Sequence, residues 1–129
     1  MRRFVRTHEM NMLKTTTKLL LLILIGCTIG KQGVYFGEMG RQPVLILNND
    51  PLTVRTSNSK QNSALLIYEI NISVDQDKKE VYMSANQAAG KDYRDTFVFK
   101  LSEYKINDAK PYVFYWRDPD NKTTKLILK

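Results

Sequence analysis

The chain has 129 residues, with 20 Lys or Arg against 13 Asp or Glu, a formal charge of +7, one histidine and one cysteine. A lone cysteine excludes an internal disulfide, and a lone histidine at position 8 leaves no His/Cys zinc set and no Ser-His-Asp or Cys-His catalytic group further along. The length suits one domain around one modest core.

The first 18 residues carry Arg2, Arg3, Arg6, Lys14 and Lys18, and Leu19 to Ile25 then form an unbroken apolar run ending at Gly26-Cys27. A basic opening, a short apolar stretch and a small residue before the cut make the layout of a secretory signal. Seven apolar residues are too few to span a bilayer, which takes about 20. Met1, Met10 and Met12 are alternative starts. Arg2-Arg3 does not make a twin-arginine signal, because the apolar run begins far downstream and no Ser or Thr precedes the pair.

Leu24-Ile25-Gly26-Cys27 resembles the lipobox of bacterial lipoproteins, in which two aliphatic or small residues and a Gly or Ala precede an invariant cysteine. The resemblance implies that residues 1–26 are a signal helix removed at Cys27, whose thiol receives a diacylglyceryl group. Further acylation, by palmitate or a similar chain, would follow on the new amino group. A thiolate is the side-chain nucleophile suited to making that thioether, and two or three chains give stable anchoring where one gives marginal binding. Thr28 in place of Asp, with no acidic run after the cysteine, implies the bacterial outer membrane and a domain facing the periplasm. Five of the basic residues and one Glu leave with the signal, so 15 basic and 12 acidic residues remain. They are spread singly, as on a solvated surface, and nucleic acid is not expected as a partner.

Residues 27–42 hold Gly30, Gly33, Gly37 and Gly40 without a sustained period and read as a lipidated flexible tether. Val34-Tyr35-Phe36 within it offers a short edge strand. From residue 43 to 129 the pattern is one of strands, short β-branched and aromatic runs between Asn, Asp, Pro and Lys clusters. Val44-Leu45-Ile46-Leu47 ends at Asn48-Asn49-Asp50-Pro51, and Leu52 to Thr56 follows. Leu66, Tyr68, Ile70, Ile72 and Val74 alternate with Glu69, Asn71 and Ser73, which predicts a half-buried strand. The polar turn Asp75 to Lys79 predicts a hairpin onto Val81, Met83 and Ala85. Phe97, Phe99 and Leu101 form the next inward set. Tyr112 to Trp116 is an aromatic strand, and Trp116 is expected to close against Leu126 across a turn at Asp118 to Lys122.

Short connections favour antiparallel pairing, so the expected fold is all-β, a small antiparallel sandwich, with a small β-barrel as the alternative. Leu101 to Leu128, with Pro111-Tyr112 at the place of a corner tyrosine, is similar to the last strands of immunoglobulin-like or fibronectin-type domains. That resemblance implies architecture alone.

No cofactor or metal site is expected. Asp118-x-Asp120-Asn121 and Asp75-x-Asp77 lack the glycine and the distal Glu of a calcium loop and read as turn chemistry. Asn71-Ile72-Ser73 and Asn121-Lys122-Thr123 match glycosylation sequons, which carry little meaning in a bacterial lipoprotein. In the aromatic strand, Tyr112, Phe114 and Trp116 share one face and Val113, Tyr115 and Arg117 the other. If Trp116 faces the core, Tyr115 and Arg117 make an outward aromatic and cation, a recognition patch for protein or glycan. The expected function is non-enzymatic: a membrane-anchored lipoprotein of the cell envelope acting as a binding or assembly module. The alternatives are an inhibitor or immunity lipoprotein against a toxin or cell-wall hydrolase, and a hydrolase built on carboxylates alone.

Overall fold

A computed structural model describes residues 32–129 apart from 59–63 and Tyr93. Cys27 and the Leu24-Ile25-Gly26 stretch lie outside the described residues. The described chain forms strands β1 (Gln32–Gly33), β2 (Val44–Leu47), β3 (Leu52–Arg55), β4 (Leu66–Asp75), β5 (Glu80–Ala88), β6 (Thr96–Phe99), β7 (Val113–Arg117) and β8 (Thr123–Lys125). One sheet contains β4, β5, β7 and β8 with β1 on β5, and the other runs β2-β3-β6. Period-2 alternation gives each sheet one apolar face, and the two faces meet. Leu45, Leu52, Val54 and Phe97 pack from the smaller sheet against Ile70, Val81, Met83, Phe114 and Trp116 of the larger. The fold is an all-β sandwich. Its sheets are joined along one side, where the chain leaving β8 pairs with β2: Lys129 N–H donates to Leu45 O at 2.9 Å and Leu47 N–H to Lys129 O at 3.2 Å. Among the described residues no ladder joins β4 to β6, so the sheets do not close into a barrel.

The β4–β5 hairpin forms at the expected turn. Asp75 Oδ1 accepts the amides of Asp77 (3.1 Å) and Lys78 (3.0 Å), and Lys79 takes a left-handed φ of 54° before β5 begins. An Asp side chain that caps its own turn makes such a reversal favourable. The facing pattern in β4 differs from the expectation at its first residues. Ile67, not Leu66 or Tyr68, is fully buried, because a bulge between Ile67 and Glu69 shifts the register by one residue. The extra residue inverts the alternation on one side of it. Beyond the bulge Ile70, Ile72 and Val74 face inward as expected.

Among the described strand ladders pairing is antiparallel except at one place, and the isolated bridge of Leu45 to Leu128 is parallel as well. β5 and β7 run parallel, with Tyr82 opposite Tyr115 and Met83 opposite Trp116. A parallel pair needs a crossover, and residues 89–112 supply it by passing through β6 in the other sheet and a 3₁₀ turn at Leu101–Tyr104 before returning. Asp50 Oδ1 accepts Leu101 N–H at 2.8 Å at the start of that turn. Tyr112 ends the crossover, but not as a corner tyrosine. Its hydroxyl donates to the side-chain Oε1 of Gln76 at 2.6 Å, in the β4–β5 turn. Across the β7–β8 turn, Trp116 faces Thr124 rather than Leu126, whose amide donates to Phe114 O at 2.8 Å.

The stretch expected to be a tether is folded from Gln32 onward. β1 pairs with β5 through Gln32–Gln87 and Gly33–Asn86, on the edge of β5 that β7 occupies lower down. Val34 is 1% exposed, donates its amide to Ala85 O at 3.1 Å and accepts Trp116 Nε1–H at 3.2 Å. A 3₁₀ turn at Phe36–Glu38 follows, and Met39 is buried as well. The glycine content suggested a loose chain, yet Gly33 is needed for contact: a Cβ there would stand 2.5 Å from Pro119 Cγ.

Candidate functional site

The outer face of the larger sheet is set by alternation and register. Positions that face away from Val81, Met83 and Ala85 on β5 are Glu80, Tyr82, Ser84 and Asn86. Their β4 partners are Asp75, Ser73, Asn71 and Glu69, and across β5 and β7 Tyr82 meets Tyr115. Tyr115 and Arg117 point out of the core because Phe114 and Trp116 are buried in it. The structure therefore brings the two sequence-selected residues, Tyr115 and Arg117, onto one face and adds Tyr82 between them. The Tyr82 and Tyr115 rings stack at 5.5 Å with 21° between planes, and the Arg117 guanidinium lies 4.0 Å from the Tyr82 ring centroid. An arginine stacked on an aromatic face is held in place without spending its N–H donors. Among the described residues the guanidinium meets no hydrogen-bond acceptor.

Tyr82 lies between carboxylates and the Arg117 guanidinium. Its hydroxyl donates to Glu80 Oε2. That hydrogen bond first, then partial burial and the Glu80 charge, raise the Tyr82 pKa above the usual 10.0, with Arg117 pulling the other way and Asp75 adding a little. A phenol that donates to a carboxylate resists losing its proton.

Arg117 also separates two hollows. The larger, about 230 Å³, opens where β7 ends and β1 begins on the same edge of β5, and is bounded by Gly33, Asn86, Asp118 and Asn121. The smaller, about 110 Å³, lies between Asn71, Ser73, Tyr82 and Ser84. Ser84 and Arg117 border both. Amides, hydroxyls and a guanidinium stand around this shallow double hollow beside the apolar side chains of Val34, Pro119 and Ile72, and the guanidinium is suited to hold an acceptor-bearing surface.

Two carboxylates beside the larger hollow, those of Asp118 and Asp120, accept backbone amides. Asp118 is 8% exposed and its Oδ1 accepts Phe36 N–H at 2.7 Å, tying the β1 segment to the end of β7. Asp120 Oδ1 accepts Lys122 N–H at 3.1 Å, and Asn121 takes a left-handed φ of 69°. Asp120 and Asn121 thus show the expected turn chemistry, whereas the Asp118 carboxylate serves a distant amide in place of its own turn. Among the described residues, no three His, Cys, Asp or Glu side chains converge as a metal site.

Sequence reasoning missed Tyr82. Its outward direction was legible from the Val81, Met83 and Ala85 alternation, but its partner was not, because parallel pairing across a 24-residue crossover leaves no local signal. Comparison with protein-family models, curated proteins and solved structures finds no match for this chain.

Proposed function

We propose that this chain is a membrane-anchored bacterial lipoprotein that acts as a non-catalytic binding or envelope-assembly module, its lipid on Cys27 and its partner, protein or glycan, on the outer face of the larger sheet. The lipobox residues Leu24, Ile25 and Gly26 before Cys27 support the anchor. The binding half rests on one observation above the others: Arg117 is held on Tyr82, between two hollows of mixed lining, with its donors unspent among the described residues. A pre-positioned arginine beside stacked tyrosines gives a partner fixed hydrogen bonds at little ordering cost. Anchoring places such a module at the envelope, where the partner is met in two dimensions.

The test is recovery of the partner from cross-linked envelopes with wild-type protein and with Tyr115→Ala and Arg117→Ala. Both side chains are only partly buried, so the variants fold. The reading expects a partner that is lost from both variants while thermal melts stay close to wild type. Equal recovery with the double variant would remove this face from consideration.

A further inference from the structure

The two outer faces of the sandwich differ in kind. On the larger sheet the outward positions include Glu69, Glu80 and polar Asn and Ser. On the smaller sheet the outward row of β2, β3 and β6 reads Val44–Arg55–Thr96, then Ile46–Thr53–Val98. The parallel bridge between Leu45 and Leu128 extends both rows, placing Ile127 beside Val44 and Lys129 beside Ile46. Lys100 continues the outward side of β6. Val98 is 61% exposed and Ile127 76%, far more than is usual for side chains of this type. Arg55, Lys100 and Lys129 are exposed around them, and no Asp or Glu side chain occupies a position in these rows. Beyond the strand ends, Asp50 accepts Leu101 N–H and Asp95 accepts the Thr96 hydroxyl.

We infer that this outer face, with Val98 and Ile127 at its apolar positions and Arg55, Lys100 and Lys129 around them, docks on an anionic phospholipid surface. Charge complementarity selects the occupant. Cations around shallow apolar side chains match a layer of phosphate headgroups over acyl chains, where the ammonium and guanidinium groups meet phosphate and the aliphatic side chains reach the boundary. Chain length supports it, and here the inference rests on the proposed anchor. Because β1 begins at Gln32, five peptide links separate it from Cys27, a reach of at most ~18 Å at about 3.6 Å per residue. A lipidated Cys27 thus keeps the domain within contact distance of the headgroups. Docking through the smaller sheet leaves the Tyr82–Tyr115–Arg117 face turned away from the bilayer and open to a partner.

The experiment uses the full-length protein recovered from bacterial membranes, carrying an environment-sensitive fluorophore on an introduced cysteine at Val98→Cys, Ile127→Cys or, on the opposite outer face, Ser73→Cys. Each is placed with phosphatidylcholine vesicles, with and without phosphatidylglycerol, at lipid excess. Labels at 98 and 127 are expected to shift to the blue and to be quenched by lipid-borne quenchers only when phosphatidylglycerol is present, to lose both effects in high salt, and to lose them with Arg55→Glu and Lys100→Glu. The label at 73 stays in water throughout. Water-exposed labels at 98 and 127 in phosphatidylglycerol vesicles would overturn the inference. So would a blue shift that appears without vesicles and grows with protein concentration, which assigns the face to a second copy of the chain. Flotation with the vesicles and the mass of the Cys27 peptide report the anchor separately, so a missing lipid is distinguished from a face that does not dock.

Discussion

Val34→Ala tests whether the domain begins at Gln32 or, as glycine content suggested, after residue 42. Val34 is 1% exposed, and its backbone is held at both ends, by Ala85 O and by the Trp116 indole. The substitution leaves those backbone bonds in place and removes about two CH₂ equivalents from the core, worth ~0.8 kcal/mol each on transfer. The cavity left behind adds a further share, because neighbours close on it only partly. The expected loss is about 2 kcal/mol, and at ~4–8 °C per kcal/mol for a domain of this size the melting midpoint falls by about 10 °C or a little more. Thermal and urea unfolding are followed by the fluorescence of Trp116, the single tryptophan, which hydrogen-bonds the backbone of the altered residue and reports the same transition. A midpoint within ~2 °C of wild type, where an exposed or tether position would leave it, refutes the placement of β1 in the fold.

Other consequences are as specific. Gly33→Ala forces a Cβ to within 2.5 Å of Pro119 Cγ and is expected to destabilise clearly. Adding Pro119→Ala, which deletes that atom and leaves a neighbour at 3.1 Å, should restore most of the loss in paired urea titrations. Asp118→Ala leaves the part-buried Phe36 amide without its acceptor, at about 1 kcal/mol, the low end of the cost of an unmet donor, read by the same melts and by faster amide exchange at Phe36. Tyr82 should titrate above the usual 10.0, and Glu80→Gln should bring its tyrosinate absorbance step down toward that value. Because the folded pKa is raised, the unfolded chain loses this proton first. The contribution is complete below the unfolded value and disappears as the pH climbs through the folded one. Wild type should therefore lose more stability than Glu80→Gln above that range.

Much of the architecture was legible because it rests on period-2 alternation. Val81, Met83 and Ala85, then Phe114 and Trp116, announce buried faces residue by residue, and Asp75 to Lys79 announces its own turn. What escaped was set by contacts distant in sequence. The bulge at Tyr68 leaves the composition of β4 unchanged while inverting the side it presents, so Leu66 and Tyr68 read as inward in place of Ile67. The parallel β5–β7 pair depends on a crossover through the other sheet, and with it went the Tyr82–Tyr115 stack. Gly33 read as slack because nothing local tells of Pro119, 86 positions later, against which it fits. In the candidate site, Tyr115 and Arg117 were found because burial of Trp116 dictates their direction. Tyr82 and the two hollows required the fold.

The anchor is tested most directly by intact-mass spectrometry of the protein extracted from the membranes of a producing bacterium, beside Cys27→Ser. The account predicts a chain beginning at Cys27 with the mass of a diacylglyceryl group and any further acyl chain, found in the membrane fraction. Cys27→Ser should show neither that cut nor the added mass. A wild-type chain recovered from the soluble fraction, unmodified at Cys27 or beginning at another residue, would contradict it.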